Sequence, residues 1–315
     1  MRAASAPGKV VLSGEYAVLD GAPAVSVAVD RRAKVRITAS ENDWHSVTAP
    51  GFAPGIGRFV VRNGAVEWLE GGAEFGLVEA ALLAANIELA APVSMELDTR
   101  EFVDTASGSK IGIGSSAALT VALLAALRRS TSVFADAIRA HRLFQKGSGS
   151  GVDVATAVHG GLIEFRADDA IVKPLEWPDG LACRFLWSGV AASTREKLAK
   201  LAALARRKSR LQLARSATHV AAAWHSADAV LQAFPAYIED LRRFSIDHDL
   251  GIFDAGHEEL ASQAADAGLV YKPCGAGGGD IGVLLGASEP ALDDFLAGTE
   301  RAVDCRIDSV GVEQH

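Results

Sequence analysis

No two of the chain's three cysteines, Cys183, Cys274 and Cys305, stand close together. Without a CxxC pair neither a zinc site nor a disulfide framework is indicated, and a reducing, cytoplasmic setting is expected. Long hydrophobic runs are missing too. The longest, Ala117 to Leu127, is about half the ~20 residues a membrane span needs, so it reads as a buried helix. Met1 to Lys9 has no apolar core of the kind a signal peptide carries. Basic residues are in deficit, 31 Lys+Arg against 39 Asp+Glu, for a net charge of −8. That balance argues against a general nucleic-acid binder. It leaves room for an anionic ligand, since a site can be positive within an acidic protein. The histidines do not cluster. His257-Glu258-Glu259 lacks the second His of a zinc helix and Asp247-His248-Asp249 lacks EF-hand spacing, so both are expected at the surface. No fixed-period repeat and no low-complexity linker is present. What remains is 315 residues, 49% hydrophobic and 22% charged, enough for a sizeable core in about two domains and too apolar for disorder.

Strands are expected at Val10–Ser13, Ala24–Val29 and Ala33–Thr38, with a turn at Gly21–Pro23. Glu74 to Asn86 has helical apolar spacing, and Val93–Leu97 alternates like a strand. Helices follow at Ser115–Leu127, Ser132–Phe144 and Val152–Val158. Leu162–Phe165 and Ile171–Pro174 read as a hairpin, Arg184–Trp187 as a strand, and Ser193–Phe244 as mostly helix broken near Pro235. Further on come a helix at Ile252–Ala267, strands at Val270–Lys272 and Ile281–Leu285, a helix opened by Pro290, and a last strand at Cys305–Val310. Composition shifts near Pro174–Leu181, which divides the chain into residues 1–175 and 176–315. Both parts mix strands and helices without strict alternation, so the class is α+β.

Four stretches carry chemistry. Lys110-Ile111-Gly112-Ile113-Gly114-Ser115-Ser116-Ala117 is a Gly/Ser loop running into an apolar helix. Glycine allows close backbone approach, and N–H groups at a helix start bind phosphate. It is not a Walker loop. It matches the G-x-G-x-x-A of dinucleotide binding, but the residues before it, Asp104 to Ser109, are polar and strand-poor. A plain glycine turn before a helix is the alternative. Gly147-Ser148-Gly149-Ser150-Gly151-Val152-Asp153 sets an acid in the first turn of a helix, as an ordinary dipole partner or as the carboxylate that orients an attacking hydroxyl. Lys272-Pro273-Cys274-Gly275-Ala276-Gly277-Gly278-Gly279-Asp280 is far richer in glycine than a hairpin needs and suits close approach to an anion. Lys9 opens an apolar strand. It is a solvated strand end unless it faces these loops, where it could pair with phosphate. The basic run Arg206–Arg210 reads as a solvated helix face.

In this order and spacing the four stretches resemble the GHMP kinase superfamily over nearly the whole chain. Within it they look most like the phosphomevalonate kinases, on Lys110 before the loop, the run from His141 and Gln145 to Asp153, the segment Trp187–Thr194, and the Lys272-Pro273 with its terminal Asp280. Cys274 stands where the family more often has Ser, and Arg142 falls near the position of a mevalonate-kinase acid that helps hold Mg²⁺. The resemblance implies a two-domain α+β fold with the active site in the interdomain cleft. It implies ATP-dependent phosphorylation of (R)-5-phosphomevalonate, with ATP and Mg²⁺ as cofactors and no nucleic-acid or membrane partner. A homodimer is left open. Lys9 and Asp153 would be catalytic. Lys110, Gly112, Gly114, Ser115, Ser116 and Ala117 would hold ATP, with Ser116 on the metal. Tyr16, Ser148, Ser150, Ser193, Thr194, Gly275, Ala276, Gly277, Gly278 and Asp280 would face the acceptor, with Arg195 and Lys197 as further candidates. The alternatives are a mevalonate kinase or another small-molecule kinase of the superfamily, a diphosphomevalonate decarboxylase, a nicotinamide-dependent oxidoreductase and a non-enzymatic binding module.

Overall fold

The computed structural model describes residues 1–147, 149–192, 197, 200–201, 208–297 and 301–315. Strand β1 (Arg2–Ser13) is buried along almost its whole length and pairs antiparallel with β2 (Ala24–Ala39). β2 is one 16-residue strand where two were expected. Its Asp30-Arg31-Arg32 centre looks like a break in an apolar pattern. Arg32 instead ion-pairs with Asp308 and Glu313 and donates to the Gly311 carbonyl, so its charge is spent within the fold. The large sheet runs β12 (Glu313–Gln314), β1, β2, β6 (Val93–Asp98), β3 (His45–Ala49), β4 (Ala53–Arg62), β5 (Ala65–Glu70). Off this path, β7 (Leu162–Arg166) pairs with β2 and forms the expected hairpin with β8 (Ile171–Leu175).

Helices α1 (Gly76–Ala84), α2 (Ser115–Arg128), α3 (Phe134–Phe144) and α4 (Val152–His159) complete this layer. Every residue of α2 from Ala117 to Leu127 is buried. A helix apolar all round belongs in a core. Each fully buried Leu or Val there contributes about 1.5–3 kcal/mol. Strand β9 (Ala182–Trp187), with β10 (Val270–Pro273) and β11 (Ile281–Gly286), forms a second sheet in the order β10-β11-β9. Helices α5 (Lys208–Ala222), α6 (Ala227–Asp247), α7 (His257–Asp266) and α8 (Glu289–Leu296) belong to this part of the chain. No helix among the described residues is long and apolar enough to cross a membrane.

Several expectations are corrected. Pro235 lies inside α6 and does not break it, because the buried face of Val230, Phe234, Tyr237, Ile238 and Leu241 carries through. Ile252 to Gly256 precedes the helix, which begins only at His257. Cys305–Val310 is not a strand. One bridge, Ile307 to Val29, ties it down before the short β12. Arg210 is no solvated side chain: it pairs with Asp20, and both are largely buried.

Candidate active site

The site starts from a glycine. A Cβ on Gly8 would lie 2.9 Å from both the Ile113 carbonyl and the Phe102 ring. Bare Gly8 therefore lets the 111–114 loop close onto β1, where Lys9 N donates to Ile113 O at 2.8 Å. The Lys9 side chain then runs under Gly114, whose Cβ would meet it at 2.9 Å. Gly114 is the left-handed residue before α2 (φ 83°), and no side chain caps that helix. The α2 start is thus left facing the cleft with its dipole unspent.

The Lys9 ammonium lies 3.1 Å from Asp153 Oδ1. Lys9 is 7% exposed, so the strand-end lysine is no solvated residue. Asp153 stands in the first turn of α4, again behind a left-handed glycine, Gly151. Across from it, Ser116 Oγ is 3.1 Å from His141 Nε2 on α3. Burial holds the His141 imidazole below its ordinary pKa, Asp153 opposes that and Lys9 adds to it. His141 completes the wall and was not among the expected site residues. It opens the run ending in Asp153, and its alignment with Ser116 depends on how α2 and α3 pack.

The third wall is the loop after β10. A Cβ on Gly275 would sit 3.9 Å from Lys9 Nζ, and one on Gly112 would lie 2.3 Å from Asp280 Cβ and Cγ. Glycine loops from the two sheets thus meet at Lys9 and Asp280. Burial raises the Asp280 carboxyl pKa, while the Ala192 N–H bond at 2.9 Å, Lys9 and Lys197 pull it back. Lys197 Nζ donates to Gly277 O at 2.7 Å. Behind the loop, Tyr16 Oη donates to Ala276 O at 2.7 Å. Burial, with Glu15 beside it, pushes the Tyr16 phenol well up, so it remains a donor. Glu15 accepts from Lys272 and Tyr237, all three buried, joining the end of β1 to β10.

These elements enclose a cavity of about 390 Å³, within the range of small-molecule sites. Of the expected residues, Lys9, Tyr16, Lys110, Gly112, Gly114, Ser115, Ser116, Ser150, Asp153, Gly275, Ala276 and Asp280 line it. Lys110 Nζ sits 4.8 Å over the Phe52 ring. Ala117, Gly277 and Gly278 do not line it. Ala117 is fully buried in α2, while Gly277 and Gly278 pack back against Ile252 and Gly251. Ser148, Ser193, Thr194 and Arg195 lie outside the described residues. Both histidines expected at the surface are buried: His248 is 1% exposed and His257 fully enclosed. The residues before the Lys110–Ala117 loop form no strand, only a bridge of Val103 to Lys110, so the dinucleotide motif lacks the context it needs.

Gly112→Ala should be severely damaging. Its φ of +91° strains any side chain, and the added Cβ would strike Asp280 across the cleft. The conformational penalty alone is roughly 1–2 kcal/mol, and the clash adds to it. The expected result is a lowered Tm. A wild-type Tm would show that the two loops need not meet.

Residues 77–161 match the model of the GHMP kinases N terminal domain. A phosphomevalonate kinase of Streptomyces strain CL190 is 28% identical over 348 residues, 91% of this chain and 90% of that protein. A mevalonate kinase of Methanothermobacter thermautotrophicus is 34% identical over 191 residues, 55% of this chain and 57% of its own. The solved Streptococcus pneumoniae phosphomevalonate kinase, in complex with phosphomevalonate and AMPPNP, superposes with a TM-score of 0.76 at 18% identity, covering all of both chains.

Proposed function

We propose that this chain, an ATP-dependent small-molecule kinase with the two-domain GHMP fold, transfers the γ-phosphoryl group of ATP to (R)-5-phosphomevalonate. One observation carries the reading. A buried lysine, Lys9, reaches the single point where an uncapped helix start, a carboxylate and a second glycine loop converge. Transfer between two anions needs a cation held out of bulk water, and there a charge acts far more strongly than at a surface. The near full-length similarity to the Streptomyces phosphomevalonate kinase supports the choice of acceptor.

In this reading Lys110, Gly112, Gly114 and the α2 start hold the ATP phosphates. Asp153 orients the attacking phosphate oxygen and takes any proton it still carries. That oxygen bonds to the γ-phosphorus as the bond to the ADP oxygen breaks. Lys9 offsets the charge between the reactants. Gly275, Ala276, Asp280, Tyr16 and Ser150 form the acceptor side, with residues 1–175 supplying the nucleotide half and 176–315 most of the rest. Magnesium enters with ATP as part of the substrate. Among the described residues no group of three His, Cys, Asp or Glu is placed to hold a metal. The chain offers the Ser116 hydroxyl, and water and ATP oxygens complete a shell of the kind Mg²⁺ keeps. The free thiols Cys183, Cys274 and Cys305 suit a cytoplasmic enzyme.

ADP release from MgATP tests the proposal, with 5-phosphomevalonate, mevalonate and no acceptor in parallel. Turnover with 5-phosphomevalonate alone is expected. Turnover with mevalonate alone would overturn the acceptor, and silence with both in folded, ATP-binding protein would overturn the substrate half entirely.

A further inference from the structure

His257 is the first residue of α7 and has no exposed surface. Both ring nitrogens are engaged: Nδ1 lies 2.8 Å from the Tyr271 hydroxyl and Nε2 lies 3.0 Å from Gly279 O. A carbonyl oxygen only accepts, so Nε2 carries the proton. Nδ1 is then a lone pair that accepts from Tyr271. A neutral imidazole in one tautomer satisfies both partners. Burial holds it in that state by lowering its pKa. Lys272, Lys197 and Arg301 push the same way, and the Gly279 carbonyl opposes them.

The carbonyl it holds belongs to the peptide that leads into Asp280. The same peptide's N–H donates to Val190 O at 2.6 Å. It is therefore pinned on both sides. That support suits Asp280, because its φ of 55° lies in the left-handed region, which costs most non-glycine residues about 1–2 kcal/mol and which Asp visits only occasionally. Beyond this peptide the Asp280 carboxylate accepts from Ala192 N and stands against Gly112 of the opposite loop.

We infer that His257 is a positioning residue that fixes the Gly279–Asp280 peptide and so holds the Asp280 carboxylate at the acceptor side of the cleft. Its placing of Asp280 stands on geometry alone. Its effect on the acceptor rests on the kinase reading above.

The test compares His257→Leu, which keeps bulk and loses both polar contacts, with His257→Gln, which restores an N–H near the Nε2 position. His257→Leu should raise KM for the acceptor about tenfold, the loss of one buried hydrogen bond to a well-placed group. KM for ATP should stay near wild type. His257→Gln should recover most of the acceptor KM. Crystal structures of the two variants read the peptide directly, whatever the acceptor is. The peptide should turn in His257→Leu and keep its orientation in His257→Gln. Equal losses in both variants, or an unmoved peptide in His257→Leu, would overturn the inference. If His257→Leu fails to fold, Tyr271→Phe serves instead. It leaves Nδ1 without its donor, so it should raise the acceptor KM and loosen the peptide, and an unchanged KM and peptide would again overturn the inference. If the wild type uses neither acceptor, the kinase reading fails on its own, and the crystallographic comparison still decides the role of His257.

Discussion

Lys9→Met is expected to lower kcat by a factor on the order of 10²–10³, the usual cost of deleting one preorganised group that stabilises transition-state charge. Methionine keeps most of the stem on which Gly114 packs, so the cleft walls stay where they are. What disappears is the ammonium, 3.1 Å from Asp153 and close to Gly275. In the proposed transfer, two anionic reactants would then meet beside a carboxylate that has lost its lysine. Asp153→Asn makes the instructive contrast. A general base contributes typically about 10²–10⁴-fold when it must deprotonate an alcohol. A phosphate acceptor is already largely ionised near neutral pH, since its second pKa is about 6. With 5-phosphomevalonate, Asp153→Asn should therefore cost less than Lys9→Met. With an alcohol acceptor the order should reverse. Saturating kcat for both variants decides it, and near-wild-type rates in both would remove Lys9 and Asp153 from the chemistry.

The parts of this site legible in the sequence are those in which backbone conformation is written locally. Gly112, Gly114 and Gly151 announce left-handed turns before helices, and all three adopt them. The apolar run from Ala117 announces a buried helix. Nothing local announces that Gly8 lets the loop at Ile113 touch β1, or that Gly112 meets Asp280, because such facts depend on two distant segments packing. The strands of residues 45–70 were not legible for another reason. β5 is the edge strand and β4 lies next to it, both partly exposed, and their glycines and charges blur the alternation. His257-Glu258-Glu259 reads as surface because two of its three residues are charged. The helix start points the histidine inward all the same, to a glycine 22 positions on.

Lys272→Met should be strongly destabilising. Lys272 and Glu15 are 257 positions apart, and their side chains are 0% and 2% exposed. Burial alone would lower the Lys272 pKa, but Cys274 and Glu15 more than offset that, and the ammonium is held above its ordinary value. Deleting it leaves Glu15 buried with, among the described residues, only the Tyr237 hydroxyl bonded to its carboxylate. Removing one partner of a buried ion pair costs about 3–5 kcal/mol, mostly for the charge left behind. The double variant Glu15→Gln/Lys272→Met removes that charge, and Tyr237 can still donate to the glutamine oxygen. It should recover more than half of the loss. Urea midpoints at constant m-value measure both, because a changed slope would mean the two-state assumption had failed. A small loss in Lys272→Met, or a double variant no more stable than the single one, would show that the pair is not what joins β1 to β10. The expected pattern would make the pair an electrostatic link between the strand that carries Lys9 and the loop that carries Asp280. The site would then depend on a bond between two buried side chains 257 positions apart.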